Sequence, residues 1–295
     1  MEMRRVSKKS RMIFIALILF AVCIILIPQM LRIYYKNRIK VSDATVGYFY
    51  SNMGRFMIPV ENGNFFIIDT GCESSYIFND RLKIKPKILG RNYLINLKEK
   101  RVLLSQRIDT FQIGNMLINN NDFILIKSEK TTYKNDTNIV GQIGMDILSQ
   151  KYCYFDMKNQ TITFSDKKIT QTEPPFFEFF YELPNVPEAD ININGNIFED
   201  VLFDTGLNSF LGLLECDRGK LNAQSFLEES TAYGFFGNQY SISWEQFDSL
   251  TVEGISFSPP VVSYGHKRRL LGMSFATSWS SFLIDPFEKK IEFYL

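Results

Sequence analysis

Apolar residues are distributed along this chain in two ways. Residues 12–27 are unbroken apolar sequence, extending to about residue 31 past Pro28 and Gln29. Beyond residue 40 the apolar positions form short runs rich in Phe, Tyr, Ile and Val, set apart by Gly, Asn, Asp and Pro. Runs of about 4–8 residues bounded by turn residues predict strands. The first stretch, preceded by Arg4, Arg5, Lys8, Lys9 and Arg11, is near the lower limit of the ~17–25 residues a spanning helix needs. A cleaved signal peptide is the rival reading. However, Ile27-Pro28-Gln29-Met30 is a poor cleavage site and Phe20-Ala21-Val22-Cys23 a poor lipobox. The expectation is an uncleaved anchor within residues 1–40, crossing a membrane through residues 12–31. Arg32, Lys36, Arg38 and Lys40 follow the span, so the positive-inside bias toward a cytoplasmic N terminus is slight. The large C-terminal part is expected outside the cytoplasm.

After a spacer at residues 41–54, the strand pattern repeats itself. Arg55-Phe56-Met57-Ile58-Pro59-Val60 and residues 64–69 flank Glu61-Asn62-Gly63, and residues 189–193 and 197–204 flank Asn194-Gly195. Asn-Gly between apolar runs is a strong hairpin signal. The second strand of each hairpin ends in the same phrase. In one half it is Phe65-Phe66-Ile67-Ile68-Asp69-Thr70-Gly71-Cys72-Glu73-Ser74, and in the other Asp200-Val201-Leu202-Phe203-Asp204-Thr205-Gly206-Leu207-Asn208-Ser209. Further on, Gln142-Ile143-Gly144-Met145-Asp146 has a partner in Leu270-Leu271-Gly272-Met273-Ser274. Each of these precedes an apolar stretch, an Asp (Asp156, Asp285), a Lys-bearing turn and a closing strand. The Asp-Thr-Gly copies lie 135 residues apart (69 to 204) and the glycines 128 apart (144 to 272). A period this long indicates duplicated domains, since solenoid units run ~20–50 residues. Residues 169–180, with Pro174-Pro175 and a Phe cluster, read as the linker. The organisation expected is an anchor (1–40), a first all-β lobe (41–168), a linker (169–180) and a second all-β lobe (181–295).

Composition narrows the chemistry. The chain has 295 residues, 45 % hydrophobic and 22 % charged, which suits a folded protein and not a disordered one. A formal net charge of +1 gives no pointer to nucleic acid. The many Lys, Asn, Ile and Phe suggest a bacterial source, which would place the anchor in the inner membrane. Beyond the apolar N-terminal run lie Cys72, Cys153 and Cys216, an odd and widely spaced set that reads as structural thiols and not as a disulfide framework or zinc site. The one histidine, in His266-Lys267-Arg268-Arg269, reads as part of a solvated basic loop. Ser or Cys nucleophiles usually need a His base, and zinc hydrolases several histidines. What remains is a pair of carboxylates, Asp69 and Asp204. A carboxylate at the end of an apolar strand is costly to bury unless paired or used, and two together suggest a dyad sharing one proton. No metal or cofactor is expected.

Strand-Asp-Thr-Gly followed some 70 residues later by a Gly-bearing apolar strand resembles the retropepsin-like aspartic proteases. The resemblance covers about residues 55–165 and again 187–295. It implies two small β-barrel lobes facing each other, each donating one Asp. Retroviral enzymes assemble this pair by homodimerisation. Here both lobes would lie in one chain, as in the bilobal pepsins, so a monomer would hold a complete site. Thr70 and Thr205 resemble the family's cross-lobe hydroxyls. Gly71 and Gly206 are expected to permit the turn that presents each Asp, and Gly144 and Gly272 to pack close to the Asp loops, with Ser74 and Ser209 as loop support. Such a protease needs a flap over its substrate. The candidate is residues 231–239, with Tyr233, Gly234, Phe235, Phe236 and Gly237 combining mobility with aromatic cover. The first-lobe counterpart, about residues 93–101, contains Leu97-Lys98-Glu99-Lys100 and no glycine, which predicts an asymmetric cleft.

The chain departs from the family pattern at Cys72 and Leu207, where a small residue is usual. Leu207 predicts a shifted or differently tuned second loop. Ser274 in place of Asp146 is expected to be harmless. The leading reading is a membrane-anchored aspartic endopeptidase that cuts an extended peptide or protein substrate. The chief alternative is a retropepsin-like binding module without turnover. An envelope protein whose anchor matters more than its cleft, and a hydrolase of another class, are lesser alternatives.

Overall fold

A computed structural model describes residues 39–51, 54–82, 91–96, 101–181, 186–222 and 225–295. The expected anchor lies outside the described residues, among which no helix is long and apolar enough to cross a membrane. Residues 40–295 form one compact unit. The protein is all-β: the described residues make 24 strands, two four-residue α-helices and a few 3-10 turns.

The strands form three sheets. One is nine-stranded and lies in the first half of the chain, a second nine-stranded sheet lies in the second half, and a six-stranded sheet takes strands from both. The six-stranded sheet is antiparallel throughout, in the order Phe177–Phe180, Lys290–Tyr294, Ser281–Asp285, Tyr152–Asp156, Thr161–Ser165, Ala44–Gly47. The halves meet where Cys153, Tyr154, Phe155 and Asp156 pair with Ile284, Leu283, Phe282 and Ser281. Phe155 stacks on Phe282 at 4.2 Å, and Phe56 (first half) and Phe203 (second half) close in on the same ring at 6.2 and 5.6 Å. Offset and edge-on aromatic packing of this kind adds specificity to area burial.

The two nine-stranded sheets repeat one local arrangement. In the first, Asn64–Ile68 runs parallel to Ile139–Ile143, which is antiparallel to Tyr76–Phe78, itself parallel to Met116–Ile126. In the second, Asn196–Phe203 runs parallel to Leu270–Leu271, which is antiparallel to Leu211–Leu213, itself parallel to Val261–Tyr264. The hairpins feeding these strands turn at Asn62 (φ 62°) and Gly63 (φ 70°), and at Asn194 (φ 50°) and Gly195 (φ 80°). Two successive left-handed residues match the right-handed strand twist, and Asn-Gly tolerates them best. The Asp before each Lys-bearing turn ties that turn down: Asp156 Oδ1 accepts from Asn159 N, and Asp285 Oδ1 from Phe287 N and Glu288 N.

Two segments differ from their sequence reading. The spacer at 41–54 contributes strands at Lys40–Val41, Ala44–Gly47 and Phe49–Tyr50, and Ala44–Gly47 forms an edge of the six-stranded sheet. Ala44, Val46 and Tyr48 are buried at a period of two. That alternation is too short to stand out beside its polar neighbours. The linker at 169–180 ends in the strand Phe177–Phe180, which pairs with Lys290–Tyr294 at the opposite edge. Phe177 and Phe179 are buried while Phe176 and Phe180 are exposed. Pro174 and Pro175 stop short of this strand and so do not interrupt it.

Candidate active site

Asp69 and Asp204 each follow directly on a strand and are held by the neighbouring parallel strand. Asp69 N donates to Ile143 O at 3.0 Å and Asp204 N to Leu271 O at 2.9 Å. The loops they open are fastened to each other. Thr70 Oγ1 donates to Phe203 O (2.7 Å) and accepts from Thr205 N (3.1 Å). Thr205 Oγ1 donates to Ile68 O (3.1 Å) and accepts from Thr70 N (3.1 Å). Both threonines are fully buried. Each hydroxyl uses its donor and an acceptor position, so neither hydroxyl is left to pay the desolvation cost of a missing bond.

Gly71 and Gly206 serve a different purpose from the one expected. Neither has a positive φ. A Cβ on Gly71 would lie 2.5 Å from Asp204 Cγ, and one on Gly206 would lie 2.8 Å from Asp69 Oδ2 and 2.9 Å from Asp204 Oδ1. Each glycine therefore makes room for a carboxylate. Gly144 and Gly272 make room for backbone: a Cβ would lie 2.6 Å from Cys72 O and 2.2 Å from Ser209 O respectively.

The two carboxyl groups lie beside each other, since the Cβ position of Gly206 is within 3 Å of both Asp69 Oδ2 and Asp204 Oδ1, and Gly206 N donates to Asp204 Oδ1 at 2.7 Å. Burial and the charge of Asp204 hold Asp69 well above the usual carboxylate range, against Arg55 and the Gly71 N–H. Burial raises Asp204 as well, opposed by the Gly206 N–H, Arg55 and Arg268. The pair therefore retains a proton at a pH where isolated carboxyls have lost theirs, and it titrates as a unit.

Support differs in detail from the sequence reading. Ser74 contributes its carbonyl, which accepts from Cys72 Sγ at 3.2 Å, while the neighbouring Ser75 provides the buried hydroxyl. Ser75 Oγ donates to Asp146 Oδ1 and accepts from Gly144 N, and Ser75 N donates to Asp146 Oδ2. Burial lifts Asp146 to about 6 in spite of these bonds. Ser209 Oγ, also buried, donates to Leu211 O at 3.2 Å and lies 3.0 Å from Ser263 Oγ. Ser274, in place of Asp146, donates to Asn208 O at 2.8 Å, so the second loop has a tether of its own. Leu207 does not shift its loop. Leu207 N bonds Asp204 O and Met273 N bonds Leu207 O, as Cys72 N bonds Asp69 O and Met145 N bonds Cys72 O. The Leu207 side chain fits against Gly212 and Gly272. Burial pushes the Cys72 thiol well up, which suppresses the reactive thiolate.

Two residues beside the dyad escaped the sequence reading. Gln142 Nε2 donates to Asp69 Oδ2 at 2.7 Å. The only sequence signal was a polar residue inside a strand that is otherwise buried and apolar. Arg55 Nε donates to Gly206 O at 3.3 Å and Nη1 to Tyr133 OH at 3.1 Å, with the guanidinium 5.3 Å from the Tyr133 ring centroid. Nothing local in the sequence distinguishes Arg55 from an ordinary strand-flanking cation.

The candidate flap is the tip of a hairpin between Ser225–Tyr233 and Gln239–Gln246. The tip is closed by Gly234 N to Asn238 O and by Gly237 N to Gly234 O, with Gly237 at φ 71°. It reaches the first half of the chain. Phe235 packs on Tyr76 at 4.5 Å, Tyr133 at 6.1 Å and Phe78 at 6.5 Å, and Thr132 N donates to Phe235 O at 2.9 Å. Phe236 lies 6.3 Å from Tyr76, and Tyr233 stays exposed. In the first half, Arg91–Asn96 and Arg101–Ile113 pair as the corresponding hairpin; its tip, with Leu97-Lys98-Glu99-Lys100, lies outside the described residues. A cleft of about 1000 Å³ runs beside the docked tip, between Tyr233, Phe236 and Gly237 and the Ile126–Thr132 stretch, and neither Asp lines it.

His266 is not in a solvated loop. It is buried, its Nε2 lies 2.7 Å from Ser263 Oγ, and burial pushes it down to about 4, so it is neutral. Gly265 at φ 99° turns the chain inward there, while Arg269 bonds the buried Asp217. Cys153 is buried but Cys216 is exposed. Among the described residues no cluster of His, Cys, Asp and Glu is arranged to hold a metal ion. No protein-family model and no curated protein matches the chain.

Proposed function

We propose that this chain is an aspartic endopeptidase with a retropepsin-like active site built from tandem lobes, anchored to a membrane by residues 12–31. The observation that carries this reading is the Asp69–Asp204 pair, brought side by side on two loops that Thr70 and Thr205 lock together. Two carboxyls this close cannot both ionise, a behaviour for which aspartic proteases are the reference case. The ionised member takes a proton from a water molecule as that water attacks the scissile carbonyl. The protonated member gives its proton to the carbonyl oxygen, producing a tetrahedral diol. When the diol collapses, the proton gained from water passes to the leaving nitrogen, a diol hydroxyl returns its proton to the other carboxylate as the carbonyl re-forms, and the dyad is back in its starting state. No covalent intermediate forms. The substrate is an extended peptide or protein segment, covered by the Phe235–Phe236 tip, and one chain holds the whole site. The anchor places the site at a membrane surface, in a bacterial inner membrane with the lobes outside the cytoplasm.

The test is cleavage of a diverse peptide pool by the purified full-length chain between pH 3 and 8. Turnover by wild type that Asp69→Asn and Asp204→Asn each abolish supports the reading. A folded wild type that binds peptides and cleaves none would make the chain a binding module.

A further inference from the structure

Arg55 bridges the second Asp loop and the aromatic wall under the docked hairpin tip. Its Nε donates to Gly206 O at 3.3 Å, and Gly206 N is bonded to Asp204 Oδ1. Its Nη1 donates to Tyr133 OH at 3.1 Å, and the Tyr133 ring packs against Phe235 of the tip. The guanidinium also lies over the face of that ring, which favours a cation. These contacts fix its plane, yet Arg55 is only half-buried. Both oxygens it meets are neutral, and among the described residues it is in no ion pair. Arg268, which also acts on Asp204, is by contrast paired with Glu188 at 2.7 Å. The cation is one-sided as well. Met57 pairs with Ile67 and Glu188 with Leu202, each of those partners lying two residues before its Asp. Two residues ahead of Met57 stands Arg55, and two ahead of Glu188 stands Val186.

We propose that Arg55 is a specificity-determining residue that binds the side-chain carboxylate of an Asp or Glu in the substrate, at one position along the bound peptide. This names a substrate class for the aspartic-protease reading above and rests on it. On that reading the peptide runs between the Asp loops and the hairpin tip, and Arg55 touches both sides of that space. A guanidinium carries five N–H groups in a rigid fork and stays charged at any working pH. Two of them are used on Gly206 O and Tyr133 OH, and the fork suits the two oxygens of a carboxylate. Gly206 and Tyr133 hold it in place before the substrate arrives, which lowers the ordering cost of binding. A carboxylate brought near the negative dyad needs a cation beside it. Arg55 supplies one whose charge reaches both Asp carboxyls and is not taken up by a carboxylate of its own. With Val186 at the matching place in the second half, the preference is confined to one side of the site.

The experiment gives the full-length chain pairs of C-terminally amidated peptides that differ by Glu or Gln at a single scanned position. Cleavage and binding, the latter by fluorescence anisotropy, are measured between pH 5 and 7, where Glu is ionised. Wild type is compared with Arg55→Gln and Arg55→Lys, each checked for folding by thermal unfolding. The expected result is that wild type favours Glu over Gln about tenfold in kcat/KM at one position. Arg55→Gln should favour neither, and Arg55→Lys, which keeps the charge without the fork, should retain about threefold. Comparing two peptides on one enzyme cancels any effect of Arg55 on the dyad itself. A wild type indifferent to Glu and Gln at every position overturns the proposal, as does a Glu preference that Arg55→Gln leaves in place. If Arg55→Gln does not fold, an undiminished preference in Arg55→Lys overturns it instead. A wild type that cleaves nothing refutes the protease reading, while the Glu preference in binding, and its loss in Arg55→Gln, still decides what Arg55 recognises. A wild type that neither cleaves nor binds the peptides overturns both.

Discussion

The dyad stores a conflict between stability and function that single residues make measurable. A carboxyl whose pKa is raised in the folded state binds more protons there than in the unfolded chain. Its contribution is fully present below the unfolded value and is lost as pH rises through the folded one. Since burial raises both carboxyls, Asp69→Asn should stabilise the fold at neutral pH and make little difference near pH 3, as seen in thermal unfolding across that range. Arg55 acts in the opposite sense to burial on both carboxyls. Removing its charge in Arg55→Gln should therefore raise the dyad's apparent pKa values and move the pH–rate profile toward alkali. Thr205→Val strips donors and acceptors from a buried set, leaving Thr70 N and Ile68 O unpartnered. It should cost about 2–3 kcal/mol in urea unfolding, with a larger loss of turnover as the Asp loops loosen. At this scale Asp-Thr-Gly was legible, because a carboxylate closing an apolar strand is conspicuous. Gln142 and Arg55 were not, since their meaning lies in the carboxylates they meet across the fold and not in their sequence neighbours.

Among the elements, the hairpins were the most readable because Asn-Gly specifies its own backbone. The strands of the six-stranded sheet were the least readable, because pairing partners far apart in sequence decide them. Phe177–Phe180 belongs to that sheet in spite of the two prolines ahead of it. Phe177 packs on Trp279 at 6.0 Å, Phe275 at 5.8 Å and Phe293 at 5.5 Å. Phe177→Ala should destabilise the protein by about 3–5 kcal/mol in urea unfolding, whereas a true linker position would tolerate it. The hairpin tip docks through Phe235 on the aromatic wall of Tyr76, Phe78 and Tyr133. On the proposed reading this tip is the cover that keeps water from the reacting groups. Phe235→Ala should lower kcat/KM for peptide cleavage about tenfold while leaving the unfolding midpoint nearly unchanged, because Phe235 is only partly buried. The glycine-free counterpart in the first half made asymmetry an expectation, but the docking partner of the second tip could not be read from pattern.

In the whole molecule, the sequence repeat at a spacing of 135 residues corresponds to two sheets with the same local pairing order, and a third sheet takes strands from both halves. The halves are bound by backbone pairing between Tyr152–Asp156 and Ser281–Asp285 and by the crossed threonines. This arrangement makes the site a property of one chain, whereas sequence alone left open how the two Asp loops meet. The central claim is that these two carboxylates share one proton to activate a water molecule. It is tested most directly by mass spectrometry of a peptide pool incubated with the wild-type full-length chain, Asp69→Asn and Asp204→Asn across pH 3 to 8. The account predicts cleavage by the wild type and none by either variant, although both variants remain folded. Cleavage that survives either substitution would contradict it.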